Sequence, residues 1–159
     1  SQVPATRTRR MSRRFLLDVM LGTLATYLRM CGYDTLYAQE EDIKADAALR
    51  ERAATTGRTL VTRDQDLAAR TEGALLLETR EIEAQLAELQ AYDIEIALPT
   101  EPDRCSLCNG RVERIDTGQR PEHAPDAVST VWQCRGCEQF FWKGSHWEQV
   151  QETITGLSG

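Results

Sequence analysis

Residues 14–32 read RFLLDVMLGTLATYLRMCG, an apolar run that passes into apolar residues at helical spacing. The run up to Asp18 is short, rich in large apolar residues and typical of a buried strand. From there apolar residues recur every three or four positions, which predicts an amphipathic helix over residues 20–31. Gly32 follows, and glycine commonly ends a helix at this position. The stretch therefore predicts the first strand and helix of an α/β domain.

The same order of strand and helix continues as far as residue 92. Further strands are predicted at 34–38, 58–62 and 74–78, and further helices at 45–56, 64–70 and 79–92. Strands that alternate with helices of this length indicate a parallel sheet with helices on both faces. The fold class predicted for this half is therefore α/β, with a small parallel sheet flanked by helices.

The second half of the chain contains most of its cysteines. Four of them form two C-x-x-C pairs: Cys105, Cys108, Cys134 and Cys137. Two such knuckles aim four sulfur atoms at one point, as a tetrahedral zinc ion requires, and two disulfides or free thiols are the alternatives. Gly110 and Gly136 are expected where a knuckle needs positive φ or close backbone approach. Zinc with four protein ligands stabilises a fold and leaves no position for a substrate, so the function must lie elsewhere.

These patterns divide the chain into four parts. They are a disordered basic tail (1–13), the α/β domain (14–98), a proline-containing linker (99–103) and a β-rich zinc ribbon (104–155). Ribbon strands are predicted at 111–116, 130–133 and 140–143, with a closing helix at 147–154. The arginines of the tail could form a phosphate-binding arm, and a solvated segment is the alternative.

Composition narrows the function and the location. With 159 residues and a net charge of −6, the chain lacks the basic balance of a general nucleic-acid binder. Cysteines in metal spacing, with a fifth in an apolar helix (Cys31), indicate a reducing compartment, so a cytoplasmic location is expected. No apolar stretch is long enough to span a membrane, and no membrane partner is expected.

Acidic residues gather where the predicted strands end. Asp18 ends the first strand, Asp64 and Asp66 follow the third, and Asp46 begins the second helix after an acidic loop at 40–42. Such strand ends meet at one edge of an open parallel sheet, which is where sites form. Clustered carboxylates suit Mg²⁺ or Mn²⁺, and such a site can hydrolyse a phosphodiester. Helix capping is the alternative for the later three acids, whereas an acid that ends an apolar strand seldom serves packing.

Three segments together resemble one known family. They are FLLDVMLGTLATYLRMCGYDT (15–35), GRTLVTRD (57–64) and, with the two C-x-x-C pairs, FWKGSHW (141–147). The family is the PIN-like ribonuclease family named after the C-terminal domain of the Mut-seven exonuclease, and the resemblance extends over nearly all of residues 14–150. It implies a PIN-like fold with a C-terminal zinc ribbon and a metal-dependent ribonuclease activity.

The resemblance also implies roles for individual residues. Four acids carry over as catalytic residues: Asp18, Asp46, Asp64 and Asp66. Of these, Asp18 and Asp64 carry over as ligands of Mg²⁺ or Mn²⁺, and Arg63 carries over as a contact to phosphate. Many PIN enzymes have a longer and more acidic centre, so the choice of Asp46 over Asp42 stays open.

Further residues are candidates for contact with substrate. Trp142, Lys143, His146 and Trp147 combine stacking surfaces with positive charge, which suits single-stranded RNA. The tryptophans could instead cover the thin core of the ribbon, and His146 could be a zinc ligand or an acid–base group. Arg29, at the end of the first predicted helix, could contact substrate or form a surface salt bridge.

The sequence therefore predicts a metal-dependent ribonuclease, and endonucleolytic cleavage is expected. Structural zinc and catalytic Mg²⁺ or Mn²⁺ are the predicted cofactors. Single-stranded RNA is the predicted partner, and a homodimer or a regulatory protein is a further candidate. The alternative function is a non-catalytic RNA- or protein-binding zinc-ribbon module with a degenerate nuclease domain.

Overall fold

Four parallel strands form the central sheet, in the order β2-β1-β3-β4. The structure is a computed structural model that describes residues 13–115, 121–122, 124–125 and 130–157. The strands are β1 Arg14–Leu17, β2 Asp34–Tyr37, β3 Thr59–Thr62 and β4 Leu75–Leu76. The helices of this half are α1 Gly22–Met30, α2 Asp46–Thr56, α3 Gln65–Arg70 and α4 Ile82–Ala91. The predicted alternation of strand and helix and the parallel pairing are confirmed.

Both faces of this sheet are buried under helices. Successive side chains of a strand point to opposite faces, so one strand contributes to two core clusters. In β1, Phe15 and Leu17 lie in a core cluster with residues of α1 and α4, whereas Leu16 lies in a second cluster with residues of α2 and α3. Strands that are covered on both sides read as continuous apolar runs. This explains why β1 shows no alternation of apolar and polar residues.

Three antiparallel strands form the ribbon sheet, in the order β5-β6-β7. They are β5 Val112–Arg114, β6 Trp132–Cys134 and β7 Phe140–Phe141, and helix α5 Ser145–Leu157 follows them. The buried core of the ribbon consists of Cys105, Val112, Trp132 and Cys134. A core of this size is too small to stabilise a domain by itself, so a metal would be needed to hold it.

Helix α5 returns to the first half of the chain. Its Val150 and Ile154 are buried in the same core cluster as Phe15, and the helix packs against α4. The end of the predicted ribbon segment therefore contributes to the core of the α/β domain.

Parts of two predictions lie outside the described residues. They are the basic tail, apart from its last residue, and residues 116–120, 123 and 126–129 before β6. Within the described part of the chain, no helix is long and apolar enough to cross a membrane.

Candidate functional site

Asp18 lies directly after β1 and is 7% exposed. Its Oδ1 accepts from the N–H of Val19 at 2.7 Å, and its Oδ2 accepts from the hydroxyl of Thr62 at 2.7 Å. Its own N–H donates to the carbonyl of Val61 on β3 at 3.0 Å. Burying a carboxylate costs several kcal/mol unless donors satisfy it. These two donors hold the Asp18 carboxylate in a defined orientation at the edge of the sheet.

Thr62 connects Asp18 to Asp64. This threonine ends β3 and is fully buried, and its hydroxyl donates to Asp18 while it accepts from the N–H of Asp64 at 3.0 Å. Asp64 is also the N-cap of α3, because its Oδ1 accepts from the N–H groups of Asp66 and Leu67 at 3.0 and 3.2 Å. Thr62 thus links the carboxylate of Asp18 to the backbone N–H of Asp64 at the ends of neighbouring strands. Capping and metal binding are compatible in Asp64, since a carboxylate has several lone pairs.

Tyr37 belongs to this edge, although the sequence analysis did not single it out. It ends β2, and its hydroxyl donates to the carbonyl of Val19, next to Asp18, at 2.6 Å. Burial raises the pKa of Tyr37, and the negative charges of Glu40 and Asp18 raise it further. The ring lies against α1, where a Cβ at Gly22 would be 2.9 Å from the hydroxyl. A tyrosine at a strand end has no sequence signal that separates it from an ordinary strand residue.

Asp46 and Asp66 are exposed at the first position of α2 and the second position of α3. Among the described residues, the four cysteines are the only group of three or more His, Cys, Asp or Glu whose ligand atoms all lie within 4.8 Å of one another. Carboxylates of like charge repel each other unless a cation neutralises them. The structure therefore links Asp18 to the backbone of Asp64 through Thr62, but within the described part of the chain three or four carboxylates do not form a compact group.

Arg63 lies between Thr62 and Asp64 and is half-buried. Its Nε is buried and has no hydrogen-bond partner among the described residues. Its charge also acts on Glu88 of α4. Burial raises the pKa of Glu88, but hydrogen bonds from the Thr79 hydroxyl and from two N–H groups outweigh burial and lower the pKa. The positive charge of Arg63 lowers the pKa of Glu88 further. Arg63 thus lies beside the candidate site and close to α4.

Arg29 is 2% exposed, at the last turn of α1. Its Nε donates to the carbonyl of Thr35 at 2.9 Å, and its Nη1 donates to the carbonyl of Ser106 at 3.2 Å. Its Nη2 forms an ion pair with Glu40 at 2.7 Å. The salt bridge expected as the alternative role of Arg29 is present with Glu40, but Arg29 is buried and does not lie at the surface. These contacts hold α1, β2 and the first cysteine knuckle together.

The four cysteine sulfur atoms have the spacing of a tetrahedral zinc site. Sγ of Cys105 lies 3.7 Å from that of Cys137, and Sγ of Cys108 lies 3.5 Å from that of Cys134. Four thiolates at about 2.3 Å from one zinc ion would be about 3.8 Å apart. A disulfide would bring two sulfur atoms to about 2.05 Å, and all five cysteines are free. The cluster can hold a zinc ion.

Backbone N–H groups point at the sulfur of the first cysteine in each knuckle. Two of them donate to Cys105 at 3.3 and 3.4 Å, and two donate to Cys134 at 3.2 and 3.4 Å. Burial raises the pKa of Cys105 to about 12 despite these bonds. Burial also opposes ionisation of Cys134, but there the N–H groups prevail and lower the pKa to about 7. Such donors stabilise thiolates, the form that binds zinc.

The two knuckle glycines, Gly110 and Gly136, match the expectation of positive φ or close approach only in part. Gly110 does permit a close approach, since a Cβ there would lie 2.9 Å from Sγ of Cys134. Gly136 has only ordinary contacts, at 3.5 Å or more. Positive φ occurs at the non-glycine residues Asn109 (73°) and Glu138 (67°) instead. Asparagine tolerates the left-handed region better than most residues, which suits Asn109 to this turn.

The segment 140–147 lines a cavity of about 450 Å³ between the ribbon and α1. Trp142 and Trp147 are half-buried, whereas Lys143 and His146 are exposed. Nζ of Lys143 lies 5.4 Å from the centroid of the Trp147 ring, a cation–π distance. Trp142, His146 and Trp147 thus line the cavity with Lys143 beside them, and His146 is not a member of the cysteine cluster.

Comparison with known proteins places the chain in a family. No curated protein and no solved structure matches it. The model of the family described as Mut7-C RNAse domain matches residues 13–154, a range that includes both sheets, the candidate acids and the four cysteines. The chain therefore belongs to the Mut7-C RNAse domain family, as its sequence segments predicted.

Proposed function

We propose that the protein is a metal-dependent ribonuclease that hydrolyses RNA phosphodiesters. Membership of the Mut7-C RNAse domain family supports a nuclease-related function. The observation that carries the proposal is the buried carboxylate of Asp18, which Thr62 links to the backbone N–H of Asp64 at the ends of two paired strands. A carboxylate buried at a strand end adds nothing to packing, so chemistry at that edge explains it best.

The donors at this edge fit a hard divalent cation. Mg²⁺ and Mn²⁺ prefer oxygen ligands, and Mg²⁺ commonly binds through one or two carboxylates while it keeps several waters. The bonds from Val19 and Thr62 leave further lone pairs on Asp18 for a cation. When bound, the ion would neutralise charge on the phosphate and activate a water.

The neighbouring residues act through position and charge. Asp46 and Asp66 are exposed at helix N-termini and would add carboxylates around the ion. Arg63 would contact a phosphate oxygen, for which the guanidinium fork is well suited. Tyr37 would act as a positioning residue, because it holds the carbonyl of Val19 and so fixes the turn after Asp18.

The zinc ribbon would assist folding and RNA binding. Its four thiolates fill the coordination of a zinc ion, so the ribbon contributes no catalytic metal. Trp142, Lys143 and His146 lie together and offer stacking surface with positive charge. Single-stranded RNA is therefore the proposed substrate.

The direct test is cleavage of labelled single-stranded RNA by zinc-loaded protein, with and without added Mg²⁺ or Mn²⁺. Asp18→Asn should abolish cleavage, while zinc content and circular dichroism show that the variant is folded. Asp93→Asn is the matched control, because Asp93 is exposed and its φ of 70° suits asparagine. Full cleavage by Asp18→Asn would contradict the assignment.

Endonucleolytic cleavage is part of the proposal, and circular RNA tests it. A circular substrate has no ends, so an endonuclease linearises it in the presence of the metal, whereas an exonuclease leaves it intact. Linear RNA labelled at each end provides the comparison. Cleavage of linear RNA with circular RNA untouched would reject the endonuclease and retain the ribonuclease.

A non-catalytic RNA- or protein-binding module is the second candidate. One observation favours it: among the described residues, no three carboxylates offer ligand atoms within 4.8 Å of one another. This function predicts salt-dependent RNA binding without turnover, and equal binding by Asp18→Asn and the wild type. Bound RNA that stays intact with either added metal would favour it over the ribonuclease.

We also propose a cytoplasmic location. Four thiols in metal spacing and the buried Cys31 suit a reducing compartment. A homodimer or a bound regulatory protein stays a prediction. Light scattering of the purified protein would detect a homodimer through the molar mass in solution.

A further inference from the structure

A cavity of about 450 Å³ lies where the ribbon meets helix α1. Its walls include residues 140–142 and 144–147, Thr26 and Met30 of α1, and Leu107 in the first cysteine knuckle. The volume falls within the range of about 300–1,000 Å³ that is usual for small-molecule sites. Because the walls come from three separate parts of the chain, the cavity depends on the docking of the ribbon against α1.

The cavity is aromatic, and the lining residues include no acid. The aromatic members are Phe140, Phe141, Trp142 and Trp147. None of the lining residues is Asp or Glu, although the chain has 25 acidic residues and a net charge of −6. Arg104 and His146 line the cavity, and the ammonium group of Lys143, which donates to the carbonyl of Thr100, lies over the Trp147 ring. Aromatic faces beside positive charge suit a planar ring on an anionic backbone.

A glycine gives the Trp142 ring its position. The N–H of Gly144 donates to the carbonyl of Trp142 at 2.9 Å. A Cβ at Gly144 would lie 2.9 Å from Nε1 and 3.0 Å from Cδ1 of the indole. The ring therefore lies over the glycine, and any side chain there would displace it. A preorganised ring loses less conformational entropy when a ligand stacks against it.

Helix α1 connects this cavity to the candidate acid site. Gly22, Thr26 and Met30 are four residues apart and so share one face of the helix. Gly22 lies against Tyr37, beside Asp18, whereas Thr26 and Met30 line the cavity. At about 1.5 Å per residue, Met30 lies about 12 Å from Gly22 along the helix axis. A single RNA strand laid along this face can reach both places.

We propose that the cavity binds an unpaired nucleobase of single-stranded RNA, with Trp142 and Trp147 as stacking surfaces and Lys143 facing the backbone. The inference rests on the proposed function, since it concerns the RNA that the acid site would cleave. Duplex RNA would bind weakly here, because its bases are already paired and stacked. An apolar side chain of a partner protein is the other occupant, but walls without acids and a bordering lysine favour an anionic chain.

Abasic RNA provides the test. Binding of short single-stranded RNAs, each lacking one base at a different position, is measured by fluorescence anisotropy with no Mg²⁺ or Mn²⁺ added. Removing a base leaves the phosphate charge unchanged, so any loss of affinity reports the base itself. We expect one position at which base removal weakens binding to the wild type about 5- to 100-fold, the range for stacking on one aromatic ring.

Variants of the cavity show where that base binds. Trp147→Ala should bind intact RNA more weakly and lose the dependence on the critical base, whereas Trp147→Phe keeps a ring and should retain it. Gly144→Ala keeps both tryptophans but displaces the Trp142 ring, so it should also weaken the dependence. Trp132→Phe is the matched control, because Trp132 lies in the ribbon core and not in the cavity wall. Zinc content confirms that each variant is folded.

Equal binding of intact and abasic RNAs by the wild type would overturn the inference, and so would a base dependence that persists unchanged in Trp147→Ala. Cleavage of RNA in added Mn²⁺ is measured separately. Base-dependent binding without cleavage would reject the ribonuclease and keep the cavity. Cleavage that requires Asp18, together with binding that ignores the bases, would reject the cavity and keep the ribonuclease.

Discussion

Nδ2 of Asn109, in the first cysteine knuckle, donates to Oδ1 of Asp34 at 2.7 Å, while Oδ1 of Asn109 accepts from the N–H of Thr35 at 2.8 Å. Asp34 and Thr35 begin β2, which is an edge strand of the parallel sheet. Edge strands present unpaired backbone groups that proteins commonly cover. Arg29 adds a bond from α1 to the carbonyl of Ser106 in the same knuckle. The cysteine knuckle therefore covers the sheet edge through specific polar bonds.

Removing the Asn109 side chain should release the knuckle from β2. Glycine is the informative replacement, because Asn109 has a φ of 73° that alanine would find strained. We expect Asn109→Gly to lower the free energy of unfolding by about 1–3 kcal/mol, since the half-buried Asp34 and the buried Thr35 each lose a hydrogen bond. Hydrogen exchange should accelerate at the Thr35 amide. Unchanged exchange there would contradict the proposed docking.

Asp34 should make stability depend on pH in the acid range. Burial raises the pKa of Asp34, but hydrogen bonds from Arg58 and Asn109 outweigh it and hold the pKa below its usual value. A carboxyl with a lowered folded-state pKa stabilises the fold above its unfolded pKa of about 3.9, and this contribution is lost as the pH falls through the folded value. Asp34→Asn should therefore be less stable than the wild type near neutral pH, and the deficit should shrink below about pH 4.

Urea unfolding of both proteins across this pH range measures the deficit. Taking the difference between them cancels acid effects that both share, such as protonation of the cysteines. Asp93→Asn, at an exposed position, should show no such deficit. A deficit for Asp34→Asn that stays constant from neutral pH to about pH 3 would contradict the role of its charge.

Zinc should be required for the ribbon and not for the parallel sheet. We expect about one zinc ion per chain by atomic emission, and its loss in Cys134→Ala, because a site with three thiolates binds the ion more weakly. Amides of β5 and β6 should then exchange rapidly, while those of β1 and β3 stay protected. Cys31→Ala is the matched control, since Cys31 is buried in the main core away from the cluster. Full zinc content in Cys134→Ala would refute the assigned ligands.

Thr62 should affect activity through the position of Asp18. Thr62→Val keeps the shape of the side chain but removes the hydroxyl that joins Asp18 to Asp64. If the hydrogen bond that orients Asp18 contributes about 1–3 kcal/mol to stabilising the transition state, kcat should fall about 5- to 100-fold in the ribonuclease assay. KM for RNA should change little, because Thr62 is fully buried. Thr59→Val, on the same strand and half-buried, is the matched control and should cleave like the wild type.

Most elements of the α/β half were predictable, because its strands are apolar runs and its first helix has a clear period. The bounds of the fourth strand and of the last helix of this half were less predictable. The strand contains only Leu75–Leu76, and the helix begins at Ile82 rather than at residue 79. The reason is that Glu88 accepts from the N–H groups of Glu78 and Thr79 and from the Thr79 hydroxyl, which keeps this segment extended before the helix.

The candidate site was predictable in part. Asp18 and Asp64 could be assigned to the ends of two strands because the ends of parallel strands meet at one edge of a sheet, and their role as metal ligands stays a prediction. The bridging role of Thr62 could not be predicted, because the sequence pattern of a threonine in a strand is the same as that of any other β-branched strand residue. The burial of Arg29 was equally hidden, since a helical arginine is usually exposed.

The amino-acid sequence by itself determined most of the secondary structure, the parallel sheet and the four cysteines that can hold a zinc ion, because these depend on periodicity and on short spacings along the chain. Only the tertiary structure decided which separated residues meet. Thr62 bonds to Asp18 across 44 positions, and Asn109 bonds to Asp34 across 75. Such contacts depend on how whole elements pack against each other, and the local pattern around a residue does not specify its distant partner.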